Sequence, residues 1–157
     1  MKYCMLTTAL AIAAGAMVQP ALGATGNVTF NGTVAAICTL VVTNGSGTMT
    51  ASPGLQSLSS HNAGGSPGTV TITTTGNVAL SVGAPTAITV PPADITPITW
   101  SPTYSVAGAH TIAETGASSN LSTPGVDTVT VHLAGTKTGS DIFAAGSYSA
   151  TVTVTCQ

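Results

Sequence analysis

The side chains able to hold a metal or move a proton are few in this chain. They are His61, His110 and His132, the carboxylates Asp94, Glu114, Asp127 and Asp141, and the thiols of Cys4, Cys38 and Cys156. No two histidines stand at metal-ligand spacing, and a zinc or copper site would need all three to converge in space. His61 and His110 fall in loop-like sequence, and His132 takes the outward register of an alternating segment, so all three read as surface histidines. Serines abound, but no Gly-x-Ser-x-Gly elbow stands between a strand and a helix; Gly45-Ser46-Gly47 is a turn. The four acids could form a glycosidase-like carboxylate pair only through folding that the sequence does not show. The reading is therefore of a non-enzyme, with no catalytic residue, no metal-ligand set and no cofactor motif. Trp100 and Tyr104 remain as aromatic candidates, either core residues of a strand or a sugar- or surface-binding face.

Composition narrows the class further. Only 4% of the 157 residues are charged, there is no arginine, and Lys2 and Lys137 are the only basic residues. With nothing to neutralise phosphates, nucleic-acid binding is excluded, as is electrostatic membrane attachment. The low net charge and apolar content of 43% also differ from a disordered composition. A neutral, threonine-rich surface suits a protein that is exported and then held in an assembly.

Residues 1–23 carry the marks of an export signal: Lys2, the apolar run from Leu6 to Val18, the break at Pro20, and small residues before the cleavage point. The run is short of the roughly 20 residues a membrane-spanning helix needs. Cleavage after Gly23 and after Ala24 are equally compatible, and Cys4 leaves with the peptide. No integral membrane segment then remains, and the product travels through a periplasm to the cell surface or an extracellular fibre.

Beyond the signal no segment has a helical period. Short β-branched runs alternate with turn residues: Cys38 to Thr43, Thr48 to Ala51, Leu55 to Ser59, Thr69 to Thr75, Val78 to Val82, Ala87 to Val90, Ile98 to Val106, Asp127 to Leu133 and Ser147 to Cys156. Gly76-Asn77 reads as a hairpin turn. Residues 107–125 read as loop, with room for a short strand at His110 to Ala113. Seven or eight short strands punctuated by turns imply an all-β sandwich.

The stretch ATGNVTFNGTVAAIC, residues 24–38, alternates on its own. Val28, Phe30, Val34 and Ala36 share one face with Gly32, and polar residues occupy most of the other, the pattern of a strand with one buried face. Cys38 follows, and Cys156 stands next to last. Two cysteines in an exported chain imply one disulfide; two free thiols or a bond between chains are the alternatives. If Cys38 and Cys156 meet, residues 24–37 either fold back along their own sandwich or leave it, exposing an edge that another strand must fill.

The start TGNVTFNGTVAAIC and the end FAAGSYSATVTVTC resemble the spore coat protein U or secreted-pilin family, which includes subunits of archaic-type chaperone–usher pili. The resemblance implies a signal (1–23), a donor strand (24–37) and an incomplete immunoglobulin-like, pilin-like β-sandwich (38–157). Each subunit's donor strand would complete the next by donor-strand complementation, in a pilus serving adhesion or biofilm formation. Val28, Phe30 and Val34 would be the anchors. Gly32 would sit where the register needs a small residue or leaves a pocket unfilled. Identical or related subunits, a periplasmic chaperone and an outer-membrane usher would be partners. The alternative is a monomeric secreted or periplasmic binding module closed by its own N-terminal strand.

Overall fold

The computed structural model describes residues 23–157, so the export signal lies, but for Gly23, outside the described residues. Among them every regular element is a strand: β1 (Cys38–Asn44), β2 (Thr50–Ala51), β3 (Ser57–Ser59), β4 (Gly68–Thr74), β5 (Val78–Val82), β6 (Thr86–Thr89), β7 (Thr99–Gly108), β8 (Ile112–Thr115), β9 (Ser119–Leu121), β10 (Gly125–Thr136), β11 (Ser149–Thr151) and β12 (Val154–Cys156). The all-β expectation holds, with all pairings antiparallel.

The long β10 organises the largest sheet. β7 pairs with it along one edge, from Asp127 opposite Gly108 to Thr136 opposite Thr99. Its other edge takes β4 at the Gly125–Val131 end and β3 at Ala134–Thr136. β1 adds to the far edge of β4, β8 to that of β7, and β2 to β3. A three-stranded sheet runs β12-β5-β9, and β11 pairs with β6.

Period-two burial explains why these segments are strands. Val70 and Ile72 of β4, Tyr104 and Val106 of β7, and Val129 of β10 form one buried cluster with Val78 and Leu80 of β5 and Leu121 of β9. Each such side chain contributes roughly 1.5–3 kcal/mol of transfer free energy. Tyr104 is fully buried, and its hydroxyl lies 2.8–3.0 Å from the Leu80 and Ala117 carbonyls and Ser119 Oγ. Tyr104 is therefore core, with its polar end satisfied. Trp100 is half-buried and lies over Gly135, where an added Cβ would come within 2.7 Å of the indole.

Three local expectations need correction. Gly76 and Asn77 both have positive φ, but β4 and β5 do not pair with each other; the turn carries the chain from one sheet to another. Gly76 is required there because a Cβ would sit 2.8 Å from the Ser122 carbonyl oxygen. Ser147 to Cys156 is not one strand. It breaks between β11 and β12 because their partners β6 and β5 are separated by Gly83-Ala84-Pro85, and proline removes a ladder donor. Finally, β9 forms inside the region read as loop.

Cys38 and Cys156 are disulfide-bonded, with Cα atoms 6.0 Å apart and a sequence separation of 118. The bond ties the start of β1 to the end of β12. A loop of this length gives about 5 kcal/mol in the chain-entropy account.

Candidate functional site

Two strand edges lie free on either side of one cleft. β1 pairs through one edge only, with β4, and β12 through one edge only, with β5. Among the described residues neither second edge has a ladder partner. The disulfide holds the two strands together at one end. Away from it they part, leaving an open cleft of about 450 Å³ lined by Leu40 and Val42 of β1, Val70, Val131, and Val152 and Val154 near the C-terminus. The lining follows from alternation: Leu40 and Val42 are two apart on β1, and Val152 and Val154 are two apart on the last segment. Leu40 and Val42 are 37% and 59% exposed. An apolar surface flanked by unpaired strand edges is the kind of surface to which a further strand can add.

The residues predicted to supply that strand are on the surface. Val28, Phe30 and Val34 are 78%, 90% and 83% exposed, and nothing lies within 4 Å of a Cβ placed on Gly32. Residues 24–37 form no ladder, which is reasonable because a lone strand gains no cross-strand bonds. The last of them are anchored: Thr75 Oγ1 donates to the Ala35 carbonyl at 2.9 Å and accepts from the Ile37 amide at 2.8 Å. Thus the chain path is fixed just before β1. The anchor stretch Val28 to Val34 has seven residues, as does β1.

Polar side chains gather in three places that the sequence did not reveal. Lys137, the residue after β10, is buried. Its ammonium donates to Asp94 Oδ1, and at 2.7 Å to both the carbonyl and the hydroxyl of Thr96. Tyr148 donates to Asp94 Oδ2. The Lys137 ammonium, then the Tyr148 hydroxyl, hold the Asp94 carboxyl down at about 2, whereas burial, then Asp94 itself, pushes the Tyr148 phenol up to about 12.

The second group is His110 with Asp127. His110 is not a free surface histidine: its Nδ1 is 2.7 Å from Asp127 Oδ2, its amide donates to Oδ1 at 2.6 Å, and its Nε2 is 3.0 Å from the Thr123 hydroxyl. Asp127 is 1% exposed, so these bonds satisfy a buried carboxylate at the end of β10.

The third group joins His61, Glu114 and His132. The imidazole rings of His61 and His132 stack at 3.7 Å, and His61 Nε2 is 2.9 Å from Glu114 Oε1. The Thr103 hydroxyl donates to the same Glu114 oxygen and, ahead of His61, keeps that carboxyl below its ordinary range. Burial, then the neighbouring His61, lowers His132. No two histidines stand at metal-ligand spacing along the chain, and the expectation is that a site needs all three to converge; in space two of them, His61 and His132, meet with Glu114. His61, in the turn after β3, and His132, on β10, are brought together because β3 and β10 are neighbours. His110 stands apart from them. Only the pairing of β3 with β10 could have signalled this, and three residues of β3 carry little sequence signal.

Searches against protein-family models, curated proteins and solved structures give no significant match.

Proposed function

We propose that this chain is a structural subunit of a pilus- or fimbria-like surface assembly, built by donor-strand complementation. Residues 24–37 of one copy insert between β1 and β12 of the next. Val28, Phe30 and Val34 fill the apolar cleft, and Gly32 leaves room at the fourth position. The inserted strand completes an immunoglobulin-like, pilin-like sandwich. The fibre serves adhesion or biofilm formation, after export under a periplasmic chaperone and assembly by an outer-membrane usher.

One observation carries the reading: a single chain presents two free strand edges around an apolar cleft, together with an exposed alternating segment that matches β1 in length. Three anchors at roughly 1.5–3 kcal/mol each give a gross gain of about 5–9 kcal/mol, comparable with the whole stability of a domain. The 83% exposure of Val34, which belongs to the same compact unit as the cleft, supports exchange between copies over closure of the chain on itself.

The test is electrophoresis of the exported protein in detergent, unheated and heated, under non-reducing conditions. Ladders of multimers are expected, and Phe30→Asp with Val34→Asp reduces them to a single band. A single band from the unaltered protein overturns the proposal.

A further inference from the structure

We propose that His61, His132 and Glu114 form a surface site for a first-row divalent transition ion of the zinc type. The site adjoins the cleft, whose lining includes His132 and Ser60, and it does not rest on the assembly reading.

One ligand atom from each of the three residues lies within 4.8 Å of those of the others. Two imidazole nitrogens and one carboxylate oxygen make a set that zinc takes with a fourth position left open. Copper(II) binds imidazole sets more tightly still, whereas calcium and magnesium prefer oxygen alone. Ligand atoms on a tetrahedral zinc ion stand about 3.3 Å apart, as bonds of roughly 2.0–2.2 Å require. His61 Nε2 and Glu114 Oε1 are already at 2.9 Å, sharing the proton that an ion would displace.

The stacked rings must open for both nitrogens to face one ion. The ring that can move is His61, which lies in a turn with its side chain 46% exposed. The other two ligands are held by neighbours. Ser60 Oγ donates to the Leu133 carbonyl, accepts from the Leu133 amide, and lies 3.0 Å from His132 Nδ1. Ser60 engages His132 Nδ1, which leaves Nε2 as the nitrogen to take the ion. Thr103 orients Glu114 in the same manner. Such outer partners are a usual property of metal-binding histidines and carboxylates.

The experiment is a Zn²⁺ titration of the exported protein, purified without a histidine tag, against a competing chelating dye. Ring-nitrogen NMR shifts of the histidines are read in parallel. One Zn²⁺ per chain is expected, with shifts at His61 and His132 and none at His110. His61→Ala, at an exposed position that leaves the fold intact by circular dichroism, weakens binding at least about tenfold, as does Glu114→Gln. Thr103→Val, which touches no ion, weakens it by about tenfold. No binding at millimolar Zn²⁺, or binding unchanged in His61→Ala and Glu114→Gln, overturns the site and leaves the cluster a salt bridge.

Discussion

The two flanks of β4 are built from the same kind of residue and end differently. Toward β10 and β7, Ile72, Val129 and Tyr104 alternate with threonines and are sealed beneath Leu80 and Leu121. Toward β1, Leu40 and Val42 share one face, with Val41 turned the other way between Thr39 and Thr43, and both stay partly exposed over an open cleft. Hydrophobic periodicity reports only which face should be covered. What covers it is set by the topology, and on the β1 side the chain supplies no strand from the body after Cys38. The arm at 24–37 has the right pattern for that position, and on the proposed reading the open flank is where such an arm inserts.

Covalent and core changes should strike the body hardest. Cys38→Ser with Cys156→Ser releases a loop of over a hundred residues and should cost about 4–5 kcal/mol, measured by urea unfolding of the isolated subunit. It should also spread the cleft by freeing β1 from β12, so multimers weaken with it. On the sealed flank, Leu80→Ala leaves a cavity and should cost about 2–5 kcal/mol. The matching truncation on the open flank, Val42→Ala, should cost under about 1 kcal/mol in the subunit and more in the assembly. Equal losses at the two positions in the lone subunit would remove the distinction between the flanks.

Acid separates the two regions in another way. The folded pKa of Asp94 lies near 2, below the ordinary 3.8. Its contribution is fully present above about pH 4–5 and is lost as pH falls through 3.8 toward 2. The cleft's lining includes His132 but no acid, so a stability loss between about pH 4 and 2 should report the Lys137–Asp94–Tyr148 corner and not the cleft. Unfolding midpoints between pH 5 and 2 should fall, and Lys137→Met should flatten that slope. At the alkaline end, the raised Tyr148 pKa makes stability decline as pH rises from 10 toward 12.

Much of the body was legible because strands and core share one periodicity. Val70 and Ile72, or Val129 and Leu133, announce both the element and its buried face. The disulfide was legible from the cysteine count in a chain with an export signal. Illegible features are those created by pairing. Ser119–Leu121 has one apolar residue, so β9 exists only because β5 has an edge to offer. Lys137 has no local pattern that marks it as core, and it is buried against Asp94, 43 residues away. His61 and Glu114 are 53 residues apart and meet through a sheet whose order no local pattern encodes. The arm was read as a strand, but a strand is a relation between segments, and within the described chain residues 24–37 form no ladder.

The most direct measurement places a photoreactive phenylalanine analogue at Phe30 in subunits of light and heavy nitrogen, mixed in denaturant and refolded together. Mass spectrometry then locates the cross-links. The account predicts light-to-heavy products joining position 30 to Leu40, Val42, Val152 or Val154. Cross-links confined to single chains, or landing outside the cleft, would contradict it.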